Sequence, residues 1–424
     1  MTGGQPKRTG RYRVGSCRGF TMLLSRRHFV LGGTGAVLSA ARVGTAWPAQ
    51  ASALAPAPNW QPNAHLLRQL PRLLELASVP GLALAVVEGN RVWRRGFGEA
   101  IEELHQPVSD ETVFEAASLG KPVFAYAVLR LVDAGVLDLD RPLYSYLPIP
   151  DGNNPRMKRV TARHVLSHTT GLPIWRRQPA ALIPTSEPGT KFTYSGDAFF
   201  YLQRVIEGLT DKPFARMMRD EALDPLGMKQ SSYVWLPEFE SRMAAGYDGQ
   251  EHRLDVHGVI GRMAHQIGRE WGKPLAEWRY EDCARAVKLI NPEWPVLPLY
   301  MVPNAAASLL TTVSDYSRFL TRLVAKPPTQ GLELKDSTRR AMLTPHVRLN
   351  SALHWGLGWE IQRDAHGEVL WHWGANNSFR NFVIADAANG RAIVVFTNSE
   401  NGPRIYERVI VAVTGRDHPA FLWI

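Results

Sequence analysis

Apolar residues recur every three or four positions in several stretches of the chain, and these stretches predict its helices. Leu66, Leu67, Leu70, Leu73, Leu74 and Ala77 form one such stripe over 65–77, with Pro71 as a kink point. Phe124, Val128, Leu131 and Val132 form a second over 122–132, which stops at Gly135. A short helix is expected over 161–168, and longer ones over 199–209, 314–323 and 404–413. The segments 81–87 and 91–98 read instead as strands joined by a tight turn at Glu88-Gly89-Asn90, hence a hairpin. Three more strand-like runs, 357–361, 381–385 and 392–398, lie near the other end of the chain.

Strands at both ends with helices between predict an α/β (α+β) fold. Its sheet is built from both chain ends, flanked by helices, and joined to a mostly helical middle. The sheet part is expected over about 60–125 and 300–424, and the helical part over about 126–300. Within the latter, the pattern weakens over 250–298, a charged stretch carrying Trp271, Trp278, Tyr280 and Trp294 that reads as an insertion beside the site.

Composition changes this picture little: 424 residues, 45% hydrophobic and 21% charged, are ordinary for a globular chain. The net charge of +10 does change it, because of where it lies. Residues 1–53 carry Lys7, Arg8, Arg11, Arg13, Arg18, Arg26, Arg27 and Arg42 and no acid, so the remaining chain is nearly balanced at +2. That balance gives no electrostatic case for nucleic acid or a membrane surface as partner. Arg26-Arg27 followed by a Gly/Ala-rich apolar run over 29–41 reads as a twin-arginine export signal, with small-residue cleavage sites near Ala49–Ala53. The run is too short for a spanning helix, and Met22 is an alternative start. A periplasmic or secreted mature domain over 54–424, opening with a Pro/Ala linker at 54–62, is therefore expected. Cys17 and Cys283 are the two cysteines, and no Cys/His cluster has metal-ligand spacing, so neither metal nor cofactor is expected.

Candidate chemistry begins at Ser118-Leu-Gly-Lys121, where a hydroxyl precedes the 122–132 helix and an amine follows one turn later on the same face. The helix dipole there favours an alkoxide and a neutral amine. Alone the spacing is weak, since Ser-x-x-Lys arises about once or twice by chance in such a chain.

Further motifs give it weight. Pro188-Gly-Thr-Lys-Phe-Thr-Tyr194-Ser195 and His372-Trp373-Gly374 follow in order, framed by Leu166-Ser-His168-Thr-Thr-Gly171, Asp224-Pro-Leu-Gly-Met228 and Gly356-Leu-Gly-Trp359. Over roughly 65–415 the chain resembles the penicillin-recognising serine hydrolases. The similarity is to their class C β-lactamase-like branch, which includes D-alanyl-D-alanine carboxypeptidases and family VIII esterases. The resemblance implies a β-lactamase/transpeptidase-like fold with an antiparallel sheet. It implies Ser118 as nucleophile, Lys121 and Tyr194 as proton carriers, and His372 in the third motif. By the same resemblance the backbone amides of Ser118 and Ala375 form the oxyanion hole. It leaves open which of Lys121 and Tyr194 is the base, and places His168 in a structural role.

Two departures bear on substrate. Gly196 stands where lactamases carry an Asn that holds the substrate amide, and His372 where they carry a Lys that attracts the lactam carboxylate. Arg380 is a candidate replacement for that cation, while Gly374, Trp373, Trp371 and Trp355 suggest an aromatic-edged site. An exported hydrolase acting on esters or peptide-like amides is expected. A weak β-lactamase is the alternative, and a non-catalytic cell-wall-binding module or a metallohydrolase would be of another class.

Overall fold

Alternation along the first strand feeds two apolar clusters, one on each face of a sheet. In β1 (Gly81–Glu88), Ala83, Ala85 and Val87 enter one buried cluster and Leu82, Leu84 and Val86 the other. The computed structural model describes residues 60–149, 154–175, 181–254, 256–293, 303–326, 331–376 and 378–423, all within the unit Pro56–Trp423. The export signal, the cleavage sites and most of the Pro/Ala linker, as well as Trp294, lie outside the described residues.

After α1 (Ala64–Ala77), β1 pairs antiparallel with β2 (Arg91–Ile101), which continues into β3 (Gln106–Pro107) and β4 (Val113–Glu115). α1 runs through Pro71, with the Asn63 side chain accepting from Leu66 N at 2.8 Å as its cap. Then come α2 (Gly120–Asp133), α3 (Ala162–Leu166), α4 (Gly196–Thr210) and α5 (Phe214–Met218). The two-residue strands β5 (Gly246–Tyr247) and β6 (Arg253–Leu254) precede α6 (Val256–Glu270) and α7 (Tyr280–Ile290). The last part holds β7 (Leu310–Thr312), α8 (Val313–Val324), α9 (Asp336–Leu343) and β8 (Val347–Arg348). It ends with β9 (Leu353–Trp355), β10 (Glu360–Asp364), β11 (Gly367–Ala375), β12 (Arg380–Asp386), β13 (Arg391–Thr397) and α10 (Pro403–Thr414).

The main sheet has nine antiparallel strands in the order β3-β2-β1-β13-β12-β11-β10-β9-β8, so its first and last thirds of sequence interlock through the β1–β13 pair. α1 and α10 cover the Leu82/Leu84/Val86 face through Leu70, Leu74, Val409 and Ile410. α2 and α8 cover the other through Val123, Val128, Phe319 and Leu320. The fold is thus the mixed α/β class expected from the sequence.

One local expectation is corrected. The strand expected at 357–361 begins at Glu360, because Gly356 N donates to Trp359 O at 2.8 Å and closes a turn first. The 250–298 stretch, expected within the helical part, contains α6 and α7 among its described residues. Both are amphipathic, burying Ile260 and Ala264 from one and Cys283, Ala286 and Val287 from the other, and Leu275 and Trp278 close the cluster with Ala215 and Val234.

Candidate active site

Ser118 sits in a single 3-10 turn, Ala117–Leu119, that runs directly into α2. Ala117 holds φ at +51°, a left-handed value that costs a residue with a Cβ about 1–2 kcal/mol. Surrounding contacts hold it there: Ala116 N donates to Leu309 O at 2.9 Å, and Leu119 N to Ala116 O at 3.0 Å. The strain is local to the residue before the hydroxyl.

Lys121 follows in the first turn of α2 and is 1% exposed. Its Nζ donates to Ser118 Oγ at 2.9 Å and to the carbonyl of Ala306 at 2.7 Å, and lies 4.9 Å from the Tyr194 ring. Among the described residues no carboxylate compensates its burial, which lowers the ammonium pKa to about 7. A neutral amine beside a hydroxyl is therefore well populated near neutrality. The Ala306 carbonyl is fixed by a tight turn in which Asn304 Oδ1 accepts from Ala306 N at 3.1 Å and Ala307 N at 2.9 Å. Nothing in the local sequence marks Ala306.

Tyr194 precedes α4, whose N-cap Ser195 accepts from Ala198 N at 3.0 Å. Burial raises the phenol pKa well above its usual value, and the neighbouring Ser118 hydroxyl opposes part of that rise. The phenol oxygen is buried with no hydrogen bond of closed geometry among the described residues, and Ser118 is the hydroxyl nearest in influence to it. His168 holds this turn. Its Nδ1 accepts from Ser195 N at 3.0 Å, and its ring stacks on Tyr194 with centroids 4.2 Å apart. The unprotonated Nδ1 and full burial keep this imidazole neutral, its pKa pushed well down.

His372 lies in β11, fully buried, with Nδ1 2.7 Å from the Trp373 carbonyl. Nδ1 therefore carries the proton, and Nε2, buried without a partner among the described residues, presents a lone pair. Burial first and the nearby Lys121 second lower its pKa to about 3, so the ring is neutral throughout the physiological range. Trp355 joins the parts: its ring lies 4.6 Å from His168, 5.6 Å from His372 and 5.8 Å from Tyr194. Trp373, half-buried, lies 5.3 Å from Tyr194, whereas Trp371 packs into the sheet core on Phe382.

Backbone approach decides the rest. Gly374 faces Ala116, where a Cβ would stand 2.3 Å from the carbonyl oxygen, so only glycine lets β11 run beside the Ser118 turn. Ala375 follows at the strand end. Gly196 lies under the Trp175 indole, 2.1 Å from a Cβ built there. Arg380 does not stand free for substrate: its guanidinium is engaged by the carbonyls of Asn376 and Phe379 and lies 3.8 Å from Glu400. Among the described residues no cluster of three or more His, Cys, Asp or Glu has metal-binding geometry, and no helix is long and apolar enough to cross a membrane.

The family model described as Beta-lactamase matches residues 67–415. Esterase EstB of Burkholderia gladioli is 33% identical over 371 residues, a match covering 77% of this chain and 88% of that protein. The D-alanyl-D-alanine-carboxypeptidase/endopeptidase AmpH of Escherichia coli K12 is 28% identical over 204 residues, covering 43% of this chain but only 52% of its own length. Among solved structures, a class C beta-lactamase superposes with a TM-score of 0.64 at 17% identity, covering 82% of this chain and 94% of that one. The D-alanine carboxypeptidase AmpC of Burkholderia cenocepacia gives 0.63 at 18%, covering 82% and 97%.

Proposed function

The chain belongs to the beta-lactamase family of serine hydrolases, and from that premise we propose that it is an exported esterase working through an acyl-enzyme on Ser118. One observation carries the reading: Lys121 Nζ stands 2.9 Å from Ser118 Oγ in a buried site that brings the ammonium pKa to about 7. In the proposed sequence, the Ser118 proton passes to Lys121 while Oγ attacks the ester carbonyl. The amides of Ser118 and Ala375 hold the developing oxyanion. Tyr194 passes its proton to the departing alkoxide and regains one from the Lys121 ammonium, which returns the amine to its neutral form, and His372 Nε2 presents a buried acceptor beside them. Water then repeats the attack on the acyl-enzyme and releases the acid, so ester and water yield acid and alcohol.

Two features support an ester over a β-lactam. His372 is neutral and Arg380 is engaged by its own loop, so neither is an available cation for a lactam carboxylate. Residue 196 has no side chain to hold an amide, and Trp175 covers it. The match to an esterase over most of both chains points the same way. A peptide-like amide is the second reading, favoured by the match to AmpH.

Ser118→Ala should abolish p-nitrophenyl butyrate hydrolysis and fluorophosphonate labelling while the fold persists; undiminished turnover in that variant would overturn the reading. Nitrocefin should be turned over at background rates. A leader over 1–53, removed on export from a hydrolase over 54–424, is part of the same proposal. Arg26→Lys with Arg27→Lys should retain the precursor in the cytoplasm.

A further inference from the structure

The two amides assigned to the oxyanion sit on separate parts of the chain, and a buried side-chain pair ties those parts together. Asn376, next to Ala375, donates from Nδ2 to Glu115 Oε2 at 2.7 Å, and Glu115 lies three residues before Ser118. The Glu115 carbonyl in turn accepts from Asn381 Nδ2 at 2.7 Å, one residue beyond the start of β12. Glu115 and Asn376 are each 1% exposed and Asn381 is fully buried. Asn376 Oδ1 has no hydrogen-bond partner among the described residues, so the side chain is anchored through Nδ2 alone. The backbone of the same loop is held by Asn376 N donating to Phe379 O at 3.1 Å, and Gly374 is pressed against Ala116.

We infer that Glu115 and Asn376 are positioning residues that set the separation and direction of the Ser118 and Ala375 amides, and so tune the transition state and not substrate binding. The inference rests on the acyl-enzyme reading above. An amide pair preorganised for an oxyanion acts when charge develops, whereas a ground-state ester carbonyl gains little from it. A buried hydrogen bond joining β4 to the end of β11 is short enough to transmit small changes in strand position. An error of about 1 Å in such a site costs on the order of 100-fold in rate.

The test measures kcat, KM and the affinity of phenylboronic acid, which forms a tetrahedral adduct with a serine Oγ. Asn376→Ala should lower kcat about 10- to 100-fold with KM little changed, and weaken the boronate in proportion. Glu115→Ala should do the same, Glu115→Gln, which keeps an acceptor oxygen, should recover most of the loss, and Glu115→Ala with Asn376→Ala should be no worse than either alone. Unchanged kcat and boronate affinity in Asn376→Ala, or additive losses in the double variant, would overturn the inference. Should Asn376→Ala not fold, Asn376→Ser, too short to span to Glu115, carries the same measurement. Ser118→Ala separates the two levels: retained activity there sinks the acyl-enzyme reading itself, whereas loss there with full activity in Asn376→Ala sinks only the positioning role.

Discussion

Lys121 Nζ donates to the carbonyl of Ala306, 185 residues away, at 2.7 Å, and to Ser118 Oγ, three residues away, at 2.9 Å. The near partner is the hydroxyl to be activated, and the far one fixes the amine's direction without adding a negative charge. A carboxylate in place of that carbonyl would hold the amine protonated. A carbonyl leaves burial in control.

The pH dependence follows from that arrangement. A base must be unprotonated, so kcat/KM should rise through about pH 7 as Lys121 loses its proton. The imidazole of His372 has already lost its proton near pH 3 and contributes no limb above pH 5, and the raised phenol of Tyr194 keeps its proton through the alkaline side. A pH–rate profile of Ser118 acylation checks this. Lys121→Arg, which cannot deprotonate, should lose about 100- to 10,000-fold.

His168→Phe keeps an aromatic ring beside Tyr194 but removes the acceptor for Ser195 N. A buried unpaired N–H costs about 1–3 kcal/mol, so the melting temperature should fall. Displacement of the phenol should lower kcat about 10- to 100-fold with a smaller change in KM. Steady-state kinetics alongside calorimetry separates the two effects.

Gly196→Asn drives a side chain into the Trp175 indole. Overpacking of this kind costs about 1–3 kcal/mol, read as a lower denaturation midpoint. Adding Trp175→Gly should relieve the clash and raise penicillin acylation relative to either parent, measured by labelled-penicillin trapping.

Glu360 is fully buried in β10 between Trp355 and Trp371 on the neighbouring strands, and neither carboxyl oxygen has a partner among the described residues. Burial raises its pKa well above the usual carboxyl value, so the folded protein holds the proton that the unfolded chain releases. Its contribution is fully present below the unfolded carboxyl pKa, near 4.3, and is lost as pH rises toward the folded value. Glu360→Gln should therefore be more stable than the parent at pH 7–8, with the difference vanishing near pH 4. Urea midpoints across that range provide the check.

Much of the fold was legible where one face of an element is buried and the other is not. The hairpin at Gly89, the helix capped by Ser195 and the helix after Ser118 all follow from local periodicity and turn chemistry. β8 and β9 were not legible, because strands of two and three residues carry no period. α6 and α7 are less legible because each carries many polar residues around a short buried stripe, so the segment as a whole reads as charged. In the site, His168 has a structural role: its nitrogen holds the Tyr194 turn from 27 residues away, a partner that local sequence does not name.

By itself the sequence determined which reactive groups exist and the spacing of those on one element, since Ser118 and Lys121 meet through helix geometry alone. Tertiary structure decided their chemical state. The lowered pKa of Lys121, the protonated Nδ1 of His372, the engagement of Arg380 and the Glu115–Asn376 tie each depend on burial or on partners from another element. Desolvation and hydrogen-bond direction are properties of the packed interior, and no periodicity along the chain encodes them.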